Sequence, residues 1–279
     1  MRPLALAAAV CALALAHVAA AHAEWIVDAA GDVVYEDNLT RATRRADRRS
    51  DVALSPALSV GHHFQLTDAM SLLATADFKG SLYPQFERLS NVSSTLTLGV
   101  RQKFGLGAFA PWLRVFATGG VLDYGDNVRD SALVDAGLEV GRRLSQRFDL
   151  RGGYTYERLE ARSSVFDQDS HTISLKGDVG LTDALQLTLG YAARWGDLVV
   201  HRAPAPGAAL PPHSRLVNTF DTPLVALRIS ATTHIFAAAV SYALTERAAL
   251  NAGYEYQLSI GPLFNYPNNL ARVGFGYSF

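Results

Sequence analysis

The sequence predicts an all-β chain: a transmembrane, antiparallel, up-and-down β-barrel of twelve strands, with ten or fourteen as the alternatives. Three observations carry this. After residue 23 no stretch reaches the 18 or so uninterrupted apolar residues of a membrane helix, so a spanning chain has only a closed sheet available to it. Apolar and polar residues alternate with a period of two through run after run. The last eleven residues, Asn269–Phe279, keep that alternation up to the terminal carboxylate, where the end of a soluble domain usually frays.

The chain opens with a targeting segment. Met1-Arg2-Pro3 is a short basic start, Leu4 to Val18 is almost wholly apolar, and Ala21-His22-Ala23 has the small-x-small pattern of a signal-peptidase site. Glu24 is therefore the expected first mature residue, and residues 24–279 the barrel. A membrane anchor is the rival reading of the apolar run, but the run is short, rich in Ala and followed at once by the cleavage pattern. Cys11 follows Val10 where a lipoprotein site needs a small residue, which excludes that reading. Removing 23 of 279 residues leaves 256, enough for one barrel, with no cysteine. That fits a chain that crosses an oxidising compartment unfolded. The mature part carries 24 basic and 26 acidic residues, a balance that argues against a nucleic-acid partner.

The alternating runs lie near 25–39, 52–66, 71–83, 92–105, 111–124, 131–144, 148–160, 170–182, 184–199, 224–244, 248–260 and 269–279. Within 92–105, Val92, Leu96, Leu98, Val100 and Phe104 share one face while Ser93, Thr95, Thr97, Arg101 and Lys103 share the other. Ala132, Val134, Ala136, Leu138 and Val140 oppose Asp135, Glu139 and Arg143 in the same way. Tight turns at 67–69, 145–147, 182–183 and 245–247, with a longer link at 105–110, alternate with outer loops at 41–51, 84–91, 125–130, 161–169, 200–223 and 261–268. The tenth run switches parity near Thr233 and His234, which predicts a β-bulge or a miscounted strand. Trp25, Phe64, Trp112, Phe148 and Phe279 fall near one set of strand ends, and Tyr35, Tyr83, Tyr124, Tyr156, Trp195 and Tyr266 near the other, as interfacial belts would.

Charged residues inside the strands point to an interior that is polar. Asp77, Lys79, Arg101, Lys103, Arg114, Asp135, Glu139, Arg143, Arg151, Glu157, Lys176, Asp178, Arg194, Arg228, Glu255 and Arg272 share the face opposite the apolar one. Asp28, Asp32 and Glu36 belong with them. A basic residue facing lipid near the midplane costs about 2 to 4 kcal/mol, so these positions must line the lumen. Mixed charge permits either a water-filled pore with acidic and basic walls or a lumen filled by ion pairs.

The closing strand, with the apolar or aromatic residues Ala271, Val273, Phe275, Tyr277 and Phe279 on one face, resembles that of bacterial outer-membrane β-barrels. The chain resembles that porin-like superfamily over its mature length. The resemblance implies a Gram-negative outer membrane as the location and a passive channel for small polar solutes as the activity. It also implies that Phe275, Tyr277 and Phe279 are the signal read by the barrel assembly machinery, with periplasmic chaperones as partners during biogenesis. Twelve-stranded channels for acidic oligosaccharides carry lumen tracks dominated by Arg, whereas acids interrupt any such track here, and the aromatic slide of maltodextrin channels is missing. A closed structural or interaction barrel is the alternative, such as an accessory of surface polysaccharide export or envelope organisation. For that reading Tyr35-Glu-Asp-Asn-Leu-Thr-Arg41 is similar to the first strand of barrels in exopolysaccharide systems.

Enzyme and metal readings find little in the sequence. Outer-membrane phospholipases place His and Ser two residues apart with a later Asn; His213-Ser214 with Asn218 departs from that spacing and follows Pro211-Pro212. Lipopolysaccharide deacylase barrels carry an Asn-Asp pair where this chain has Asp37-Asn38, which hydrogen bonding at a loop entry explains equally well. No enzyme, metal or cofactor is therefore expected. His62 and His63 are adjacent on a strand and point to opposite faces, so they share no ion. Gly105-Leu-Gly107 and Gly152-Gly153 precede no helix and are not phosphate loops. Arg41, Arg44, Arg45, Arg48 and Arg49 cluster in the first outer loop and suit lipopolysaccharide phosphates or a solvated loop equally. The Pro- and Ala-rich stretch 203–212 is expected either to fold inward as a constriction or to stay outside as a contact surface.

Overall fold

The computed structural model describes residues 24–279 apart from 208 and 263, so the cleavage after Ala23 lies outside the described residues. Strands are β1 (Glu24–Glu36), β2 (Asp51–Gln65), β3 (Met70–Ser81), β4 (Asn91–Lys103), β5 (Trp112–Tyr124), β6 (Ser131–Ser145), β7 (Phe148–Ala161), β8 (Gln168–Gly180), β9 (Leu185–Arg202), β10 (Ser214–Val217), β11 (Leu224–Ala243), β12 (Ala248–Gly261) and β13 (Phe264–Ser278). Each pairs antiparallel with its sequence neighbour, except that β9 joins β11 directly, and β13 pairs with β1 to close the ring. The result is a closed barrel of twelve strands, with β10 as a short extra strand on the end of β11. One rim carries the start of β1, the end of β13 and the short turns. The other carries the longer loops 37–50, 82–90, 125–130, 162–167 and 203–223.

Closure matters because a sheet in lipid cannot leave an edge of unpaired backbone groups. The outer wall is apolar: Leu98, Val115, Leu138, Ile173, Leu189 and Phe236 are about half exposed with no protein partner over them. Towards the loop rim this surface gives way to an aromatic row, Tyr156, His171 and Trp195, which the register sets side by side on β7, β8 and β9. His171 stacks on Trp195 at a centroid distance of 5.7 Å. Beyond it the outer wall turns charged. Arg158, Glu160, Asp167, Asp169, Asp197 and Arg228 line a depression of about 410 Å³. Aromatic side chains followed by charges mark a membrane–water boundary, so the strand tips past Asp197 stand clear of the lipid.

Three local expectations need correction. The parity switch in the tenth run is no bulge, because β11 keeps one continuous register with β9 and with β12. Arg228 therefore shares the outward parity of Phe236, Val240 and Tyr242, and it lies 3.7 Å from Asp167 on the outer wall rather than in the lumen. The alternation misled because Ala231, with Leu227 and Ile229 against it, points inward and packs with Leu198, Val200 and Tyr266. At that height the inside is apolar, and the outer face is wet at Arg228 but covered at Val199 and Ala226, which pack with Val165 and Phe166. Tyr266 is accordingly 2% exposed inside the barrel and not part of an interfacial belt. The register does slip between Arg143 and Ser145, at the β6–β7 turn.

The remaining differences are of extent and of side-chain direction. β13 starts at Phe264 and not at 269, and Pro267, taken as loop, pairs with Leu258. Trp112 stands at the expected strand end but faces the lumen, opposite Gly141, where an added Cβ would lie 2.3 Å from the indole ring. Phe116 covers Gly137 in the same way. In both pairs a large ring lies flat over a residue without a side chain, which fills the narrow interior without pushing strands apart.

Candidate functional site

Strand parity sets the lumen wall. Asp77, Lys79, Arg101, Lys103, Arg114, Asp135, Glu139, Arg143, Arg151, Glu157, Lys176, Asp178, Arg194, Glu255 and Arg272 all share the inward face. On β1 the inward parity belongs to Asp28, Asp32 and Glu36. β1 stands across the ring from β7, so its acids face a mixed arc on β4 to β8 in which Arg101, Lys103, Arg114, Arg143, Arg151 and Lys176 are interleaved with Asp135, Glu139, Glu157 and Asp178. Interleaved acids and bases on the wall of a narrow passage give it a polar, ionisable lining that can orient polar solutes.

Part of this charge is paired. Arg151 donates to Asp178 at 2.5 Å, and Thr188 donates to the same carboxylate at 2.6 Å. Arg143 meets Asp149 at 3.3 Å, while Arg114 with Glu139 and Arg194 with Glu157 stand at 3.9 Å. Among the described residues Lys79, Arg101, Lys103, Lys176 and Arg272 have no carboxylate within 4.0 Å. Arg101 and Arg114 sit directly opposite on paired strands, an arrangement that costs free energy when no counter-charge is shared. Arg101 lies over the Trp112 ring at 4.3 Å, and with Lys103, His63, Gln65 and Asp68 it lines a vestibule of about 260 Å³ at the turn rim. His63 faces inward as expected. His62 is buried on the outer face between Trp25 and Phe64.

The loop rim is capped. The stretch 218–222 leaves β10 and touches loops from the far side of the ring. The Asn218 carbonyl accepts from Arg88 at 3.2 Å, Thr219 donates to Asp126 at 3.1 Å, and Phe220 packs edge-on against Phe86 at 5.2 Å. Asp221 accepts from Arg49 at 2.5 Å and Thr222 from the same guanidinium at 3.1 Å. β9 and β11 stand half a turn of the ring from β3 and β4, so contacts between 203–223 and 82–90 necessarily cross the mouth. Phe86, Leu89, Phe220 and Leu224 form one buried cluster there, and Val165, Phe166, Val199, Val217 and Ala226 another.

A polar hub ties the first loop into this cap. Asn38 is fully buried: its Nδ2 donates to the carbonyls of Ala42 and Pro267, and its Oδ1 accepts from the Ala42 amide and the Thr40 hydroxyl. Asp37 accepts from the backbone and side chain of Asn269. Asp37 and Asn38 thus serve loop geometry. His201, 4% exposed at the tip of β9, reaches the same loop: its amide donates to the Thr40 carbonyl at 2.8 Å. Burial, then the nearby cations Arg129 and Arg41, holds the imidazole well below its usual range. Burial likewise brings Arg129, in loop 125–130, down to about 10.

Of the arginines in the first loop, Arg44 and Arg45 remain exposed, Arg48 turns to the Ala42 carbonyl, and Arg49 holds the cap. Ser214 donates to the Pro211 carbonyl at 2.6 Å and the Asn218 carbonyl faces Arg88, so His213, Ser214 and Asn218 are engaged in loop contacts. Phe275 and Phe279 point outward on β13, and Tyr277 packs edge-on against Phe279 at 4.9 Å. Sequence reasoning missed His201, Arg129 and the cap-forming stretch 218–222. Only the 24-residue length of the predicted loop 200–223 hinted at them.

A closed antiparallel barrel with an apolar outside and an ionisable inside defines a transmembrane β-barrel of the outer-membrane type. A solved barrel shares the fold. An outer membrane channel from Pseudomonas putida F1 is similar at a TM-score of 0.60 and 12% identity, over 91% of this chain and 95% of that one. The outer membrane channel DcaP of Acinetobacter baumannii is similar at a TM-score of 0.46 and 10% identity, over 92% and 97%. No protein-family model matches the chain, and no curated protein matches it.

Proposed function

We propose that this protein is a porin-like passive channel of a Gram-negative outer membrane for small polar solutes, and that its outer mouth is closed by its own loop 203–223. The observation that carries the reading is the lumen wall, where acidic and basic side chains are interleaved and several charges keep no protein partner. A purely structural barrel would gain from neutral, close-packed side chains there, since unpaired charges in a narrow interior are costly. The Pseudomonas putida barrel of similar fold is a channel, which fits the same view. The loop rim then faces outward, where Arg44 and Arg45 meet lipopolysaccharide phosphates, and Phe275, Tyr277 and Phe279 act as the assembly signal.

The packed cap favours a second reading, a barrel that stays closed and presents its outer loops to partners. Conductance separates the two. Arg202 pairs with Val225, so residues 203–223 can be replaced by a short turn without disturbing the barrel ladder. In planar lipid bilayers the shortened protein is expected to conduct in steps, with the intact one mostly closed at neutral pH. A shortened protein that folds but never conducts would retire the channel.

A further inference from the structure

The cap converges on a side chain to which the channel reading gives no task. His201 Nδ1 lies 3.2 Å from the Thr40 carbonyl of loop 37–50, and its Nε2 lies 3.0 Å from Arg129 Nη2 of loop 125–130. A carbonyl only accepts and a guanidinium only donates, so this geometry fits one form of the ring: neutral, with the proton on Nδ1 and the lone pair on Nε2. The ring also meets Phe220 of the cap edge-on at 5.1 Å. Arg129 stacks on Phe166 at 4.3 Å, and its Nε is buried without a hydrogen-bond partner. Two bonds and one ring contact join this imidazole to the loops 37–50, 125–130 and 203–223, and Arg129 extends the link to Phe166 of loop 162–167.

The charges that face the ring are cations, Arg129 and Arg41. The groups whose charge bears on Arg129 are Tyr124, Asp126 and Arg41, and Asp126 accepts from Thr219. Among the described residues no carboxylate lies within 4.0 Å of His201. A proton added at Nε2 would therefore break the Arg129 bond and set two cations against each other in a buried site.

We propose that His201 is an acid-sensitive latch: neutral, it ties the loops into a closed cap, and protonated, it releases them, so that acid on the outer side opens the mouth. The latch rests on the channel reading for its consequence but not for its movement. The direction follows from linkage. The closed form holds the ring neutral, whereas an open, hydrated ring takes up a proton from about pH 6.5 downwards, so closure is full above that pH and weakens as pH falls.

The test compares wild type, His201→Gln and the protein shortened across 203–223, in bilayers with the loop-side pH lowered from neutral to about 5. A glutamine can donate to Thr40 and accept from Arg129 but does not titrate. Spin labels on cysteines replacing the exposed Arg44 and Pro223 follow the cap without any need for current. Wild type is expected to gain conducting events about tenfold or more, no more steeply than tenfold per pH unit for one proton, while its label distances broaden. His201→Gln should stay closed and narrow throughout, and Arg129→Gln, which removes the repelling cation, should blunt the response. Wild-type current and distances that ignore pH, or a His201→Gln protein that responds like wild type, would overturn the latch. Should the shortened protein be silent, the channel reading fails and the labels alone decide: acid broadening abolished by His201→Gln supports the latch, and its absence refutes it.

Discussion

Replacing Leu98 by Arg tests the register on which the whole description stands. Leu98 lies next to the centre of β4, half exposed on the outer wall, with Ala74 and Ala117 as its paired neighbours. Its surroundings on that face, Leu72, Ala76, Leu96, Val100 and Val115, hold no acid to pair with. A guanidinium at that depth costs about 2 to 4 kcal/mol, or about 30- to 1000-fold in the folding equilibrium. The adjacent Thr97 faces inward and shares a 2.9 Å hydroxyl contact with Thr118. Arg at 97 loses that contact, worth about 0.5 to 1.5 kcal/mol, and gains Asp135, which pairs with Thr118 and has a buried oxygen without a partner. Folded fractions in lipid vesicles, read by heat-modifiable electrophoresis across a urea series, should drop sharply for Leu98→Arg and little for Thr97→Arg. Equal losses, or a larger loss at 97, would refute the register. Gly137 is no substitute control, because any side chain there meets the Tyr154 carbonyl at 2.5 Å.

Phe220→Ala removes the ring that the cap shares with Phe86, at a cost of about 3 to 5 kcal/mol, and should raise conductance at neutral pH while the heat stability of the barrel holds. Gly141→Ala sets a methyl against Trp112 and should destabilise the barrel by about 1 to 3 kcal/mol, with most of the loss relieved in a Trp112→Ala background; additive losses in that double-mutant cycle would mean the two residues do not meet. Tyr83, in loop 82–90, has its phenol pushed up to about 12, by burial first and Glu36 second. Because the folded value exceeds the usual 10, its contribution is full below pH 10 and is lost as pH rises towards 12. Late-titrating tyrosinate absorbance should fall by one group in Tyr83→Phe.

The barrel was legible in the sequence because lipid imposes a rule residue by residue. Each strand has one face on hydrocarbon and one on a polar interior, so side chains such as Leu98 and Arg101 declare their faces by type alone. The turns were legible for a related reason, since Thr67-Asp68 and Thr245-Glu246 carry local turn chemistry. The rule lapses where the strands leave the membrane. There Ile229 points in and Arg228 out, and the parity that identified the rest of β11 misled.

What the sequence by itself determined is the class of fold, its closure and the strand count, all dictated by a solvent that acts on each residue separately. What only the tertiary structure decided is the cap. Loop residues such as Phe220, Asp126, Thr40 and Arg129 have no period and lie far apart in the chain; they meet because the closed ring brings distant loops over one opening. His201 illustrates the difference: its alternation places it on a strand, but its partners come from loops about 160 and 70 residues away, and contacts of that range leave no pattern in a single chain.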